Sequence, residues 1–152
     1  MASFKSLSVF LFFTSLCVLA FSVTGFRQKT HTEPWTEDQL LAPEDLARTI
    51  NDPNAKQPVI LCVGPGAMIK GSLDMGPAHE KAGYEKLKDQ LEKLPKNADI
   101  VIYCGCCPFD HCPNIRPAFA LLNEMKFNNQ RLLNIRHNIK TDWIDKGFPV
   151  YK

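Results

Sequence analysis

The run Ile100-Val101-Ile102-Tyr103 constrains the fold more than any other stretch of this chain. It is apolar throughout and mostly β-branched, with Asp99 before it and Cys104 after it. Polar residues do not alternate through it, so it is not a strand with one wet face. An unbroken run of this kind suits a central strand covered on both faces. Pro58 to Val63 repeats the pattern and is bounded by Gly64-Pro65-Gly66. Leu132 to Ile135 is a third short apolar run.

Helical segments lie between these runs. Pro43-Glu44-Asp45-Leu46-Ala47 opens one, with proline in the first turn and two acids at the positive end. Asn51-Asp52-Pro53-Asn54 stops it. Glu80 to Leu94 places Tyr84, Leu87, Leu91 and Leu94 at helical spacing, with lysines and acids between them. Pro113 starts a third helix through Ala118, Leu121, Leu122 and Met125, and places Cys112 at its N-cap. Thr141 to Ile144 makes a last helical turn. Ala67 to Ala78 is expected to be a Gly-rich connection, and Thr30 to Leu41 an extended lead-in. Strands that alternate with helices predict an α/β fold, a central parallel sheet with helices on both faces. At 152 residues, with no internal repeat, the chain has room for one such domain, expected over residues 35–152.

The first 25 residues are expected to be a signal peptide. Lys5 precedes the apolar run Val9–Val23, and small residues at Ala20 and Ser22 near its end and at Gly25 beyond it are possible cleavage positions. The run is short for a bilayer-spanning helix of roughly 20 residues, so no stable membrane insertion is expected after cleavage. The protein is then exported, periplasmic or secreted. Formal net charge is +2 with no basic block, which argues against a nucleic-acid partner.

Export bears on the cysteines. Of the six, Cys17 leaves with the leader, and Cys62, Cys104, Cys106, Cys107 and Cys112 remain. An odd count outside the cytosol leaves at least one thiol unpaired within the chain. A disulfide scaffold spreads its cysteines to close long loops. Here four crowd between Cys104 and Cys112, which marks a site. Ligands of parallel α/β sheets bind outside the carboxyl ends of the strands, where Cys104 stands. A strand-to-helix loop also turns backbone N–H groups inward and meets a positive helix end. A thiol held there is favoured as thiolate and becomes a nucleophile.

These segments resemble the rhodanese-type sulfurtransferases. Ile100–Cys104, then a loop, then a helix with Arg116 and Ala118, looks like the family's active-site segment. Glu44–Ala47 resembles its opening helix, Pro58–Leu61 its early strand and Met68–Ser72 its I-x-G-A turn. Asp142-Trp143 and Gly147-Phe148-Pro149-Val150 resemble its closing signature. The resemblance implies a thiosulfate sulfurtransferase type of activity, with Cys104 accepting sulfane sulfur as a persulfide. It implies no cofactor, and a small sulfur-containing anion or thiol as donor and acceptor. Arg116 is the candidate substrate-binding residue for an anionic donor. The chain departs from the family at two places. Its loop is longer and carries three further cysteines, and its early strand ends Cys62-Val63-Gly64 without the family's D-x-R pair.

Cys112 is the rival nucleophile, and Cys106, Cys107 and Cys112 are candidate resolving thiols for a disulfide with Cys104. A Cys107–Cys112 disulfide stapling the loop is the structural alternative. The C-x-C-C-x4-C spacing beside His111 also admits a thiophilic metal, but the paired C-x-x-C knuckles are absent and no metal is expected. The alternative function is therefore a thiol-redox or metal-binding module on the same scaffold without sulfurtransferase turnover. A C-x5-R phosphatase is not favoured, because Asp110 occupies the arginine position counted from Cys104.

Overall fold

The computed structural model describes residues 33–151. The signal-peptide reading of residues 1–25 lies outside them. Five parallel strands form one sheet in the order β1-β5-β4-β2-β3. They are β1 (Leu40–Leu41), β2 (Val59–Cys62), β3 (Leu73–Asp74), β4 (Ile100–Tyr103) and β5 (Gln130–Leu133). Three helices cover it, α1 (Pro43–Asn51), α2 (Lys81–Glu92) and α3 (Ile115–Glu124). The expected α/β architecture is what the chain adopts.

β4 is the central strand and all four of its residues are buried. The pleat sends its side chains alternately to two separate cores. Ile100 and Ile102 join Leu61, Leu132 and the inner faces of α2 and α3, represented by Leu87, Leu91, Ile115 and Phe119. Val101 and Tyr103 join Ile60, Leu133, Leu46 of α1 and Trp143. Helices therefore lie on both faces, which is why neither β2 nor β4 shows polar alternation.

Three local expectations shift. Leu40–Leu41 is an edge strand at the end of the expected extended lead-in, and Leu73–Asp74 is one inside the expected Gly-rich connection. At two residues each they are too short to carry a pattern, and their partners β5 and β2 define them. β5 begins at Gln130, two residues before the apolar run. α3 begins at Ile115, with Asn114 rather than Cys112 at its N-cap. The last helical turn, Lys140–Ile144, is π-helical. Its Trp143 Nε1 donates to the Pro149 carbonyl at 2.9 Å and ties the chain end to the sheet. Among the described residues, no helix is long and apolar enough to cross a membrane.

Candidate functional site

Cys104 follows β4 directly, so the pleat turns it to the face opposite Tyr103. It is fully buried in the α2/α3 core. The loop then rises through Gly105–Cys107, makes a 3-10 turn at Phe109–His111, and returns to the core at the buried Cys112. Two backbone hydrogen bonds hold the loop against the segment after β5: Phe109 N to Ile135 O at 3.2 Å, and Ile139 N to Gly105 O at 3.0 Å. Gly105 carries no side chain where Ile139 packs, since a Cβ there would lie 2.8 Å from the Ile139 Cβ. Phe109 packs edge-on against Trp35, which packs in the same way on Phe119 of α3.

This tethering brings four sulfurs together. The Sγ atoms of Cys104, Cys106, Cys107 and Cys112 all lie within 4.8 Å of one another. Cys104 to Cys106 and Cys106 to Cys107 are each 3.3 Å. No disulfide joins them, and all four are free thiols. Cys104 and Cys112 form the buried floor, Cys107 is half-buried and Cys106 faces solvent. Cys62 stands apart. Its register partner is Tyr103, so it shares the opposite core, where its thiol points to the Gly66 carbonyl at 3.5 Å. Burial pushes the Cys62 thiol pKa up and keeps it protonated.

The N–H donors of the loop divide between two sulfurs. The backbone N–H groups of Asn114 and Ile115, at the start of α3, serve Cys112. Cys104 receives the Cys112 thiol, the Cys106 backbone N–H, the Cys106 thiol and the Asn114 side chain. Asn114 Nδ2 donates to Cys104 Sγ at 3.5 Å. The outcome favours charge on Cys104. Its pKa falls to about 5, chiefly because Cys112 donates to it, and the backbone and Asn114 donors add to the effect against the cost of burial. Cys112 is raised for the reciprocal reason and retains the shared proton. Cys106 is pushed up to about 12 by desolvation and by the neighbouring sulfurs.

Two residues that position Cys104 were not among the sequence candidates. Asn114 is only 2% exposed, and its Oδ1 accepts from the His79 backbone N–H at 3.1 Å and faces His79 Nδ1 at 2.6 Å. Those contacts orient the amide so that its NH2 faces the sulfur. An asparagine just ahead of an apolar helix was the available signal. The second is Gly64, where a Cβ would lie 2.4 Å from Cys104 Sγ. Its side-chain-free backbone forms one wall of the thiol's niche.

Arg116 turns toward the loop and donates to the Asp110 carbonyl at 2.7 Å. It also pairs with Glu33 at 2.5 Å and lies over the Trp35 ring. Binding an anionic donor through Arg116 therefore requires the Glu33 pair to open. His111 is exposed and lies outside the sulfur cluster.

No protein-family model matches the sequence, and no curated protein matches it. Solved structures do. The solution structure of the rhodanese-like domain of an Anabaena sp. protein superposes with a TM-score of 0.52 at 17% identity. The match covers 79% of this chain and 80% of that one. A Cys→Ser variant of EanB in complex with hercynine gives a TM-score of 0.53 at 16% identity, covering 74% of this chain. The chain spans about a quarter of EanB, as the match covers 27% of it. The likeness is one of fold: the chain has the rhodanese-like fold, and its cysteine cluster lies in the loop after the central strand.

Proposed function

We propose that this rhodanese-like protein carries sulfane sulfur as a persulfide on Cys104. One observation carries the reading. The Cys104 thiol sits at the carboxyl end of the central strand, in a niche between Gly64 and the Asn114 amide that stabilises its anion. A thiolate there attacks the outer sulfur of a donor such as thiosulfate. The new S–S bond forms as the donor's own S–S bond breaks, giving the Cys104 persulfide anion and sulfite. A thiophilic acceptor such as cyanide then takes the terminal sulfur as thiocyanate and returns the Cys104 thiolate. Neither half-reaction needs an external oxidant or reductant. The N–H donors that stabilise the thiolate serve the persulfide anion in the same way.

Cys106 is the proposed resolving thiol, on the strength of its 3.3 Å separation from Cys104. Its attack on the inner sulfur of the persulfide forms a Cys104–Cys106 disulfide and expels hydrosulfide. Export to a periplasmic or extracellular space is part of this proposal, with a small sulfur anion or thiol as donor and acceptor.

The test is metal-free, reduced protein exposed to thiosulfate, followed by intact mass and peptide mapping. Cys106→Ser protein is expected to retain one added sulfur atom on Cys104, while wild type gains it and then expels it as hydrosulfide to leave the Cys104–Cys106 disulfide, and wild type forms thiocyanate when cyanide is present from the start. Cys104→Ser is expected to take up no sulfur and to form no thiocyanate. If Cys104→Ser turns over while Cys112→Ser does not, the nucleophile is Cys112 and the assignment fails.

A further inference from the structure

We propose that Cys104, Cys106, Cys107 and Cys112 form a tetrahedral four-sulfur site for one thiophilic divalent ion of the zinc class, and that its occupancy excludes a persulfide on Cys104. The metal site rests on the convergence of the sulfurs alone, and the exclusion clause rests also on the persulfide reading.

A tetrahedron with metal–sulfur bonds of about 2.3 Å has sulfur–sulfur edges of about 3.8 Å. Every sulfur pair in the cluster lies within 4.8 Å, and two pairs stand at 3.3 Å. The ion is reached by sulfur shifts on the order of 1 Å or less, within what thiol rotation provides. The spacing C-x-C-C-x4-C lacks paired knuckles, but the fold supplies what those knuckles supply elsewhere. The end of β4 fixes Cys104, the start of α3 fixes Cys112, and the tethered loop folds Cys106 and Cys107 over them.

The donor set selects the ion. No carboxylate and no imidazole belongs to the cluster, which disfavours calcium and magnesium. Soft thiolates select zinc and its congeners, and four converging sulfurs suit a tetrahedral ion. Around them stand the outer contacts that metal thiolates need. Asn114 Nδ2 faces Cys104 Sγ at 3.5 Å, and the Asn114 amide is itself held by His79. Access comes from the exposed Cys106 side. Cys62, on the far face of the sheet, is a built-in fifth cysteine that takes no part.

Cobalt(II) reports this geometry directly. Reduced, metal-free protein is titrated with cobalt(II) under anaerobic conditions, and zinc is then added. The expected result is one equivalent bound, with sulfur-to-cobalt charge transfer and the intense visible bands of tetrahedral cobalt, all bleached by zinc. Native mass spectrometry should show one zinc per chain. Cys106→Ser and Cys107→Ser lie at the exposed or half-buried rim, so they should fold as wild type by circular dichroism. Each should weaken cobalt binding by more than about tenfold. Zinc-loaded wild type should take up no sulfur from thiosulfate until a chelator removes the ion.

Weak octahedral-type cobalt bands, a non-stoichiometric titration, or unchanged affinity in both folded variants would overturn the proposal. Sulfur uptake by metal-free protein is read separately by mass. Loss of the metal site with uptake intact leaves the persulfide reading standing. Metal binding without uptake does the reverse.

Discussion

Gly64→Ala tests the packing of the site at its tightest point. Gly64 needs no left-handed backbone, and what excludes a side chain is the Cys104 sulfur. A Cβ would lie 2.4 Å from Sγ and 3.5 Å from the Cys104 Cβ. Comfortable carbon–sulfur contact requires roughly 3.5–4.0 Å, so sulfur or backbone must yield by more than about 1 Å. Cys104 is fully buried, so its sulfur cannot swing out into solvent to make room. Overpacking at such a site costs about 1–3 kcal/mol. With a urea slope of about 2 kcal/mol/M, the unfolding midpoint should fall by about 1 M. Displacing the sulfur also disturbs its 3.5 Å contact with Asn114 Nδ2 and should move the midpoint of the Cys104 alkylation profile away from its wild-type position near pH 5. The decisive measurement is a double-mutant cycle by urea denaturation. In a Cys104→Ala background the obstructing sulfur is gone, and Gly64→Ala should cost less than about 0.5 kcal/mol. Equal costs in both backgrounds would refute the argument, because the strain would then arise from something other than the sulfur.

The Tyr103 hydroxyl accepts from Met68 N at 3.0 Å and Ile69 N at 3.2 Å and bonds Ser72 Oγ at 3.0 Å, so Tyr103→Phe should cost about 2–4 kcal/mol in urea denaturation. Its effect should fall on stability rather than on sulfur uptake by folded protein, since the ring faces the core opposite Cys104. In metal-free protein the Cys104 pKa lies near 5, so its deprotonated, alkylatable form should grow in as pH rises through that value. The iodoacetamide rate at Cys104, followed by peptide mapping, should therefore plateau by about pH 6, and a midpoint near the free-cysteine value of about 8.5 would contradict the donor arrangement. Arg116→Ala removes a guanidinium already paired with Glu33 and the Asp110 carbonyl. A change in thiosulfate KM below about threefold is expected, and a rise above about tenfold would assign donor binding to Arg116.

The architecture was legible because the sequence carries it locally. Ile100–Tyr103 is apolar on both pleat faces, and Tyr84, Leu87 and Leu91 keep helical spacing. Each of these patterns depends on a few neighbouring residues. β1 and β3 were not legible, because two residues hold no periodicity and acquire strand geometry only from β5 and β2. Cys104 was found by its place after a strand. Asn114 was missed because its role depends on His79, which is brought to it from the approach to α2.

The sequence alone determined a parallel α/β chain with a nucleophile candidate at the carboxyl end of its central strand, since hydrophobic periodicity and strand-end position are properties of short segments. Only the tertiary structure decided which cysteines stand together. The pairing of Cys62 with Tyr103 sends Cys62 to one core, and the pleat sends Cys104 to the other. Spacing argued against a metal site, yet the tethering of the loop to Ile135 and Ile139 accompanies a convergence of four sulfurs within 4.8 Å. That outcome depends on strand register and on contacts between distant segments, and neither is written in the spacing of the cysteines themselves.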